Sequence, residues 1–173
     1  MTPAATAPGA DAGSDLLARA RAALEAVTDP ELPFLTIADM GILRAVRETA
    51  DGVIEVDITP TYSGCPATDM IRLDVEVALA KAGIARTAVR NVLLPAWTTD
   101  WLSADARAKL LANGIAPPVK PSGKRALFAS EAVTCPHCGG HDTERVSEFG
   151  STACKAQYRC SSCREPFEYF KCI

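Results

Sequence analysis

The sequence predicts an α/β (α+β) protein in two parts: a small two-layer domain with helices on one face of a mixed sheet, then a C-terminal zinc ribbon of β-strands. Three observations lead there. Apolar residues recur at helical spacing in some segments and alternate with polar residues in others. The run Ala116-Pro117-Pro118-Val119-Lys120-Pro121-Ser122-Gly123-Lys124 is too rich in Pro, Gly and Ser for regular structure. The cysteines stand at 65, 135, 138, 154, 160, 163 and 172, so all but one follow that run.

The elements can be read in order. Ser14 is a plausible cap for a helix whose apolar stripe is Leu16, Leu17, Ala20, Leu24 and Val27, ending near Asp29-Pro30. Segments 42–47 and 53–59 flank Ala50-Asp51-Gly52 and form a hairpin, with Ile54, Val56 and Ile58 alternating with polar residues. After a loop, Ile71, Val75, Ala78, Leu79 and Ala82 mark a second helix stopped by Gly83. A strand follows at 88–94, then a short helix capped by Ser103 and running to Gly114. In the tail, 146–149, 157–159 and 167–170 are strand candidates. The expected boundaries are a disordered tail at 1–13, the α/β domain at 14–118, a linker at 119–130 and the ribbon at 131–173.

A length of 173 residues suits one domain of about 110 residues plus a small metal-stapled module. Composition is ordinary for a globular chain, 48% hydrophobic and 23% charged. A net charge of -3 offers no field for phosphate backbones or acidic membranes, which argues against nucleic-acid and membrane partners. Met1 to Gly13 has no basic start followed by an apolar core, and no run approaches the ~18 apolar residues of a membrane span. The expected setting is cytoplasmic.

The ribbon carries the strongest chemical signal. Cys135-Pro136-His137-Cys138 and Cys160-Ser161-Ser162-Cys163 are two CxxC pairs separated by 21 residues. Two intervening residues let both thiolates of a tight turn face one ion, and two such turns complete a tetrahedron. Four thiolates suit zinc or iron, and the closed set implies a structural Zn²⁺. A module of about 40 residues has too little core to fold without it. His137 and His141 read as solvent-facing groups rather than ligands. Cys154 and Cys172 read as small buried hydrophobes, against the alternative of a second metal or transient thiol site.

In the first part Cys65 stands alone, before Pro66. Proline favours the first helical position, which makes Cys65 the expected N-cap, with its sulfur at the positive end of the helix dipole, where the thiolate is favoured. The alternative is a buried structural cysteine. Asp29, Glu31 and Asp39 could bring carboxylates to this thiol if their loops meet the helix start; on chemistry alone they read as solvated caps. No histidine precedes the linker, so a Cys-His nucleophile pair cannot form there, and no glycine-rich phosphate loop is present. Trp97 and Trp101 would share a face if helical, for core packing or for docking a partner.

The first domain resembles the MIP18 (DUF59) family of iron-sulfur cluster assembly proteins through Val27-Thr28-Asp29-Pro30-Glu31, Asp39-Met40-Gly41, Thr59 and Cys65-Pro66. With Phe149-Gly150-Ser151-Thr152-Ala153-Cys154-Lys155-Ala156 and Cys163-Arg164-Glu165-Pro166-Phe167, nearly the whole chain resembles the accessory proteins of phenylacetyl-CoA epoxidase systems. The resemblance implies an assembly role in aerobic phenylacetate breakdown, with Cys65 as the functional thiol and Asp39 and Thr59 as supporting motif positions. Cys65 would hold iron or an iron-sulfur cluster transiently. The implied partners are subunits of the epoxidase, its reductase or oxygenase component. No carboxylate-histidine helix pairs for a di-iron centre occur, so the chain is not expected to be the catalytic subunit. The alternative expectation is a non-catalytic interaction subunit of the epoxidase complex.

Overall fold

A computed structural model describes residues 11–119 and 133–171, and side chains from Asp15 onward. Cys172 and most of the expected linker lie outside the described residues.

Helix α1 spans Asp11–Glu25. It begins upstream of Ser14, which therefore does not cap it, and it buries Ala20 and Leu24. The chain then folds back on itself: the Asp29 amide donates to the Leu35 carbonyl at 2.9 Å and the Ile37 amide to the Val27 carbonyl at 2.9 Å. Strands β1 (Leu43–Glu48) and β2 (Ile54–Ile58) pair antiparallel, and β3 (Thr87–Asn91) adds parallel to β2, in the order β1-β2-β3. A parallel pair needs a crossover, and α2 (Ala67–Lys81) is that crossover. Its buried residues, Ala67, Ile71, Val75 and Leu79, repeat every four positions and make one stripe.

Ile54, Val56 and Ile58 are fully buried in the core that α1 and α2 share. Because strand side chains alternate, Glu55 and Asp57 share the opposite face. There Arg47 reaches Glu55 and Asp57, each at 2.8 Å, and Arg90 reaches Asp57 at 3.0 Å. Helices covering the face opposite these ion pairs make the expected two-layer arrangement.

Trp97 and Trp101 do not lie on one α-helix; a 3-10 turn occupies Thr99–Trp101. Trp97 is buried, donates Nε1-H to the Met40 carbonyl at 2.8 Å, and is therefore core rather than a docking surface. Trp101 is half-buried beneath the Arg44 guanidinium, 3.5 Å from its ring centroid. Helix α3 (Ala104–Ala112) follows, capped as expected by Ser103, whose Oγ accepts the Ala106 amide at 2.9 Å.

The Pro-rich run is not wholly irregular. Its first residue, Ala116, joins Ile115 in the two-residue strand β4, which pairs parallel with β7 (Pro166–Phe170). With β5 (Thr143–Ser147) and β6 (Lys155–Cys160) this makes a second sheet ordered β4-β7-β6-β5. Alternation along β6 and β7 divides that sheet between two cores. Ala156, Tyr158, Cys160, Phe167 and Tyr169 pack together as the ribbon's own core, whereas Phe170 joins the core of the first module, as does Cys154 just ahead of β6. Phe170 meets Trp97 edge-on, with ring centroids 6.2 Å apart.

Phe170 is the largest side chain that the ribbon sheet contributes to the first core. Phe170→Ala is expected to lower unfolding stability by about 3–5 kcal/mol through the cavity it leaves, as read by chemical denaturation. Substitution of exposed Phe149 is expected to change it by less than about 0.5 kcal/mol.

Candidate functional site

Two sulfur-bearing sites flank β6, one including Cys160 at its end and the other Cys154 just before its start. At the first, Cys135, Cys138, Cys160 and Cys163 place their sulfurs all within 4.8 Å of one another. The Cys135–Cys163 separation is 3.7 Å and the Cys138–Cys160 separation 3.6 Å. These are far longer than the ~2.05 Å of a disulfide. They are close to the ~3.8 Å edge of a tetrahedron of sulfurs each about 2.3 Å from a zinc ion. The donor set therefore fits one four-coordinate ion.

Two matching turns build it. The Gly139 amide donates to the Cys135 carbonyl at 3.0 Å and the Cys135 amide to the Gly140 carbonyl at 2.9 Å. In the second turn the Arg164 amide donates to the Cys160 carbonyl at 2.9 Å and the Cys160 amide to the Glu165 carbonyl at 3.0 Å. Each turn needs a left-handed residue after its second cysteine: Gly139 at φ 73° and Arg164 at φ 66°. His137 and His141 are exposed and stand outside the four-sulfur group; His141 Nδ1 lies 3.2 Å from Thr134 Oγ1.

The thiols share their charge unequally. The Cys163 and Ser162 amides hold Cys160 down at about 6. For Cys163 the Glu165 amide pulls downward, but loss of solvent and the crowding sulfurs win and push it to about 12. One thiolate is thus readily carried and further ones are resisted. A divalent cation removes that resistance by placing positive charge among the sulfurs.

The second site is a partly enclosed cavity around Cys65. Cys65 is half-buried, ahead of α2, where Gly64 (φ 95°) turns the chain. Pro66, not Cys65, is the residue that caps α2, and it makes no side-chain cap hydrogen bond. The cavity gathers Asp29 and Glu31 from the α1–β1 loop, Thr59 and Thr61 from the end of β2, and Cys154 from the ribbon. Asp29 is 5% exposed, and its Oδ1 accepts the Glu31 and Leu32 amides at 2.8 and 2.9 Å. Burial pushes the Asp29 carboxyl up against the pull of those amides, and pushes the Cys154 thiol up as well. Glu31 is raised by burial and by the neighbouring Asp29.

The structure thus brings Thr59, Asp29 and Glu31 to Cys65, but not Asp39. Thr36 and Asp39 instead form a reciprocal pair, Thr36 Oγ1 accepting the Asp39 amide at 3.0 Å and Asp39 Oδ2 the Thr36 amide at 3.1 Å. Asp39 Oδ2 also takes Lys109 Nζ of α3 at 2.8 Å. These contacts tie α3 to this turn. The signal was readable as Thr-x-x-Asp, a capping spacing. Cys154, read from sequence as a small buried hydrophobe, is buried and also lines the cavity.

Fold and sulfur sites together define a protein of the iron-sulfur cluster assembly class joined to a zinc-type β-ribbon. The family model for iron-sulfur cluster assembly proteins matches residues 17–94, and that for the PaaD zinc beta ribbon domain matches 119–171. A protein of Escherichia coli (strain K12), provisionally named as one of the subunits of 1,2-phenylacetyl-CoA epoxidase, is 49% identical over 88% of this chain and 90% of its own. The chain belongs to the PaaD family. The iron-sulfur protein maturation auxiliary factor SufT of Staphylococcus aureus is 38% identical over 49% of this chain and 96% of its own. Among solved structures, a DUF59 domain of unknown function from Bacillus anthracis superposes with a TM-score of 0.53 and 28% identity, over 59% of this chain and 97% of its own.

Two outcomes follow from this geometry. A Cβ at Gly139 would meet nothing within 4 Å, so Gly139→Ala probes the left-handed backbone alone. It is expected to cost roughly 1–2 kcal/mol in denaturant unfolding while elemental analysis still finds one ion per chain. Asp39 is held below its ordinary 3.8: burial alone would raise it, but Lys109 and the Thr36 amide outweigh burial. A depressed carboxyl stabilises the fold above its unfolded value and loses that contribution as pH falls through the folded one. Asp39→Asn is therefore expected to be less stable than the parent at pH 7, with the gap closing below pH 3.8, as followed by thermal unfolding across pH.

Proposed function

We propose that this chain is a maturation factor that holds iron or an iron-sulfur cluster transiently at Cys65 and delivers it to a subunit of a phenylacetyl-CoA epoxidase. The client is its reductase or oxygenase component, and Cys135, Cys138, Cys160 and Cys163 hold one structural zinc. The observation that carries this reading is the contrast between the two sulfur sites. Four sulfurs saturate a tetrahedral ion and leave no position for exchange. Cys65, a half-buried free thiol among carboxylates, leaves coordination positions that a client's ligands can take. Transfer requires such an open site. The names of the relatives, an epoxidase subunit and maturation auxiliary factors, point the same way.

Cys65→Ser tests it. The variant is expected to fold and keep its ribbon zinc, while the epoxidase produced alongside it loses iron or cluster content, read by elemental analysis and visible absorption. A fully loaded client that still co-purifies stoichiometrically with the variant would instead make the chain an interaction subunit.

A further inference from the structure

We propose that the ribbon supplies the second thiolate of the Cys65 site, so that Cys65 and Cys154, with Asp29 and Glu31, form one mixed sulfur-oxygen site for a single ferrous ion. This deepens the carrier reading and rests on it. The assignment begins with Cys154. It takes no part in the four-sulfur group, packs with the first module's core rather than the ribbon's, and borders the same cavity as Cys65 although it lies in the other module.

The cavity's chemistry calls for a cation. Two carboxylates and two thiols face it, and the cation that acts on Asp29, Glu31 and Cys154 is Lys155. Lys155 is already committed, its ammonium 2.8 Å from Glu168 Oε2 with a side chain 5% exposed. Asp29 is buried just as deeply, and its Oδ1 holds two amides. Burying a carboxylate disfavours its charge, which a metal ion held beside it would offset.

Size and softness narrow the ion. The space inside the cavity, about 10 Å³, has room for one water-sized particle, which matches a single ion. Two thiolates and two carboxylates lie between the all-sulfur sets that hold zinc or clusters and the all-oxygen sets of magnesium and calcium, which suits Fe(II). The donors are not drawn to one point: among the described residues the ribbon sulfurs form the group whose ligand atoms all lie within 4.8 Å. Binding therefore requires Cys65 and Glu31, both half-buried, to move toward the more deeply buried Asp29 and Cys154. A site that must gather its ligands releases its ion more readily than a prebuilt one, as a carrier requires.

The experiment is anaerobic titration of the zinc-loaded full chain with Fe(II), and with Co(II) as a coloured probe whose sulfur-to-metal charge-transfer absorption reports thiolate ligands. The spectrum of Cys65→Ser/Cys154→Ser serves as the ribbon background. The parent is expected to bind one ion beyond that background. Cys154→Ser and Cys65→Ser are each expected to weaken binding by about tenfold or more and to lose roughly half the charge-transfer intensity, as expected if each supplies one of two thiolates. Asp29→Asn keeps the side chain's shape and is expected to weaken binding without reducing that intensity per bound ion. Parent-like binding by Cys154→Ser, with binding lost in Cys65→Ser, would overturn the shared site and leave the Cys65 carrier standing. Absence of any ion beyond the ribbon background in the parent would overturn both.

Discussion

The architecture depends on a small sheet that has to bury both of its faces. A strand presents successive side chains to opposite sides, and β7 uses both: Phe167 and Tyr169 close the ribbon's core, whereas Phe170 enters the core of the first module beside Trp97. The two-residue strand β4 extends this sheet directly from the chain leaving α3. Hydrogen bonding and apolar burial thus act on the same strand. The ribbon is fastened to the first module by packing of the kind found inside a domain, and the position of Cys154 follows from that docking.

The two sulfur sites differ in what holds them open. In the four-cysteine group, backbone amides draw one thiol down to about 6 while crowding sends another up to about 12. The turns impose the convergence, and an ion makes it electrostatically tolerable. Around Cys65 the constraint is reversed. The first module and the ribbon meet over a small cavity bordered by acids and thiols, with Lys155 paired to Glu168 nearby. Burial raises Asp29, Glu31 and Cys154 together against the pull of Lys155, because loss of solvent disfavours the charged form.

Local physics was the part legible beforehand. The stripe on α2, the alternation in β2 and the Ser103 cap are short-range patterns, and each formed where its residues require. Reading stayed open where a residue had two possible partners. The family resemblance groups Asp39 with Cys65, whereas local chemistry favours a cap; Thr36 lies three residues away and Lys109 arrives from α3, and the capping arrangement is the one formed. Trp97 and Trp101 have helical spacing, but the backbone between them makes a 3-10 turn and their environments diverge.

By itself the sequence determined the two cysteine turns, because two-residue spacings and a left-handed residue after the second cysteine are properties of adjacent backbone. It also determined the apolar stripes that decide which faces of α2 and β2 are buried. Only the tertiary structure decided that Asp29, Glu31, Cys65 and Cys154 border one cavity, that Asp39 does not, and that the tail docks through Phe170. Those outcomes depend on which surfaces meet across many tens of residues of chain, and periodicity within a segment carries no information about the surface it will pack against.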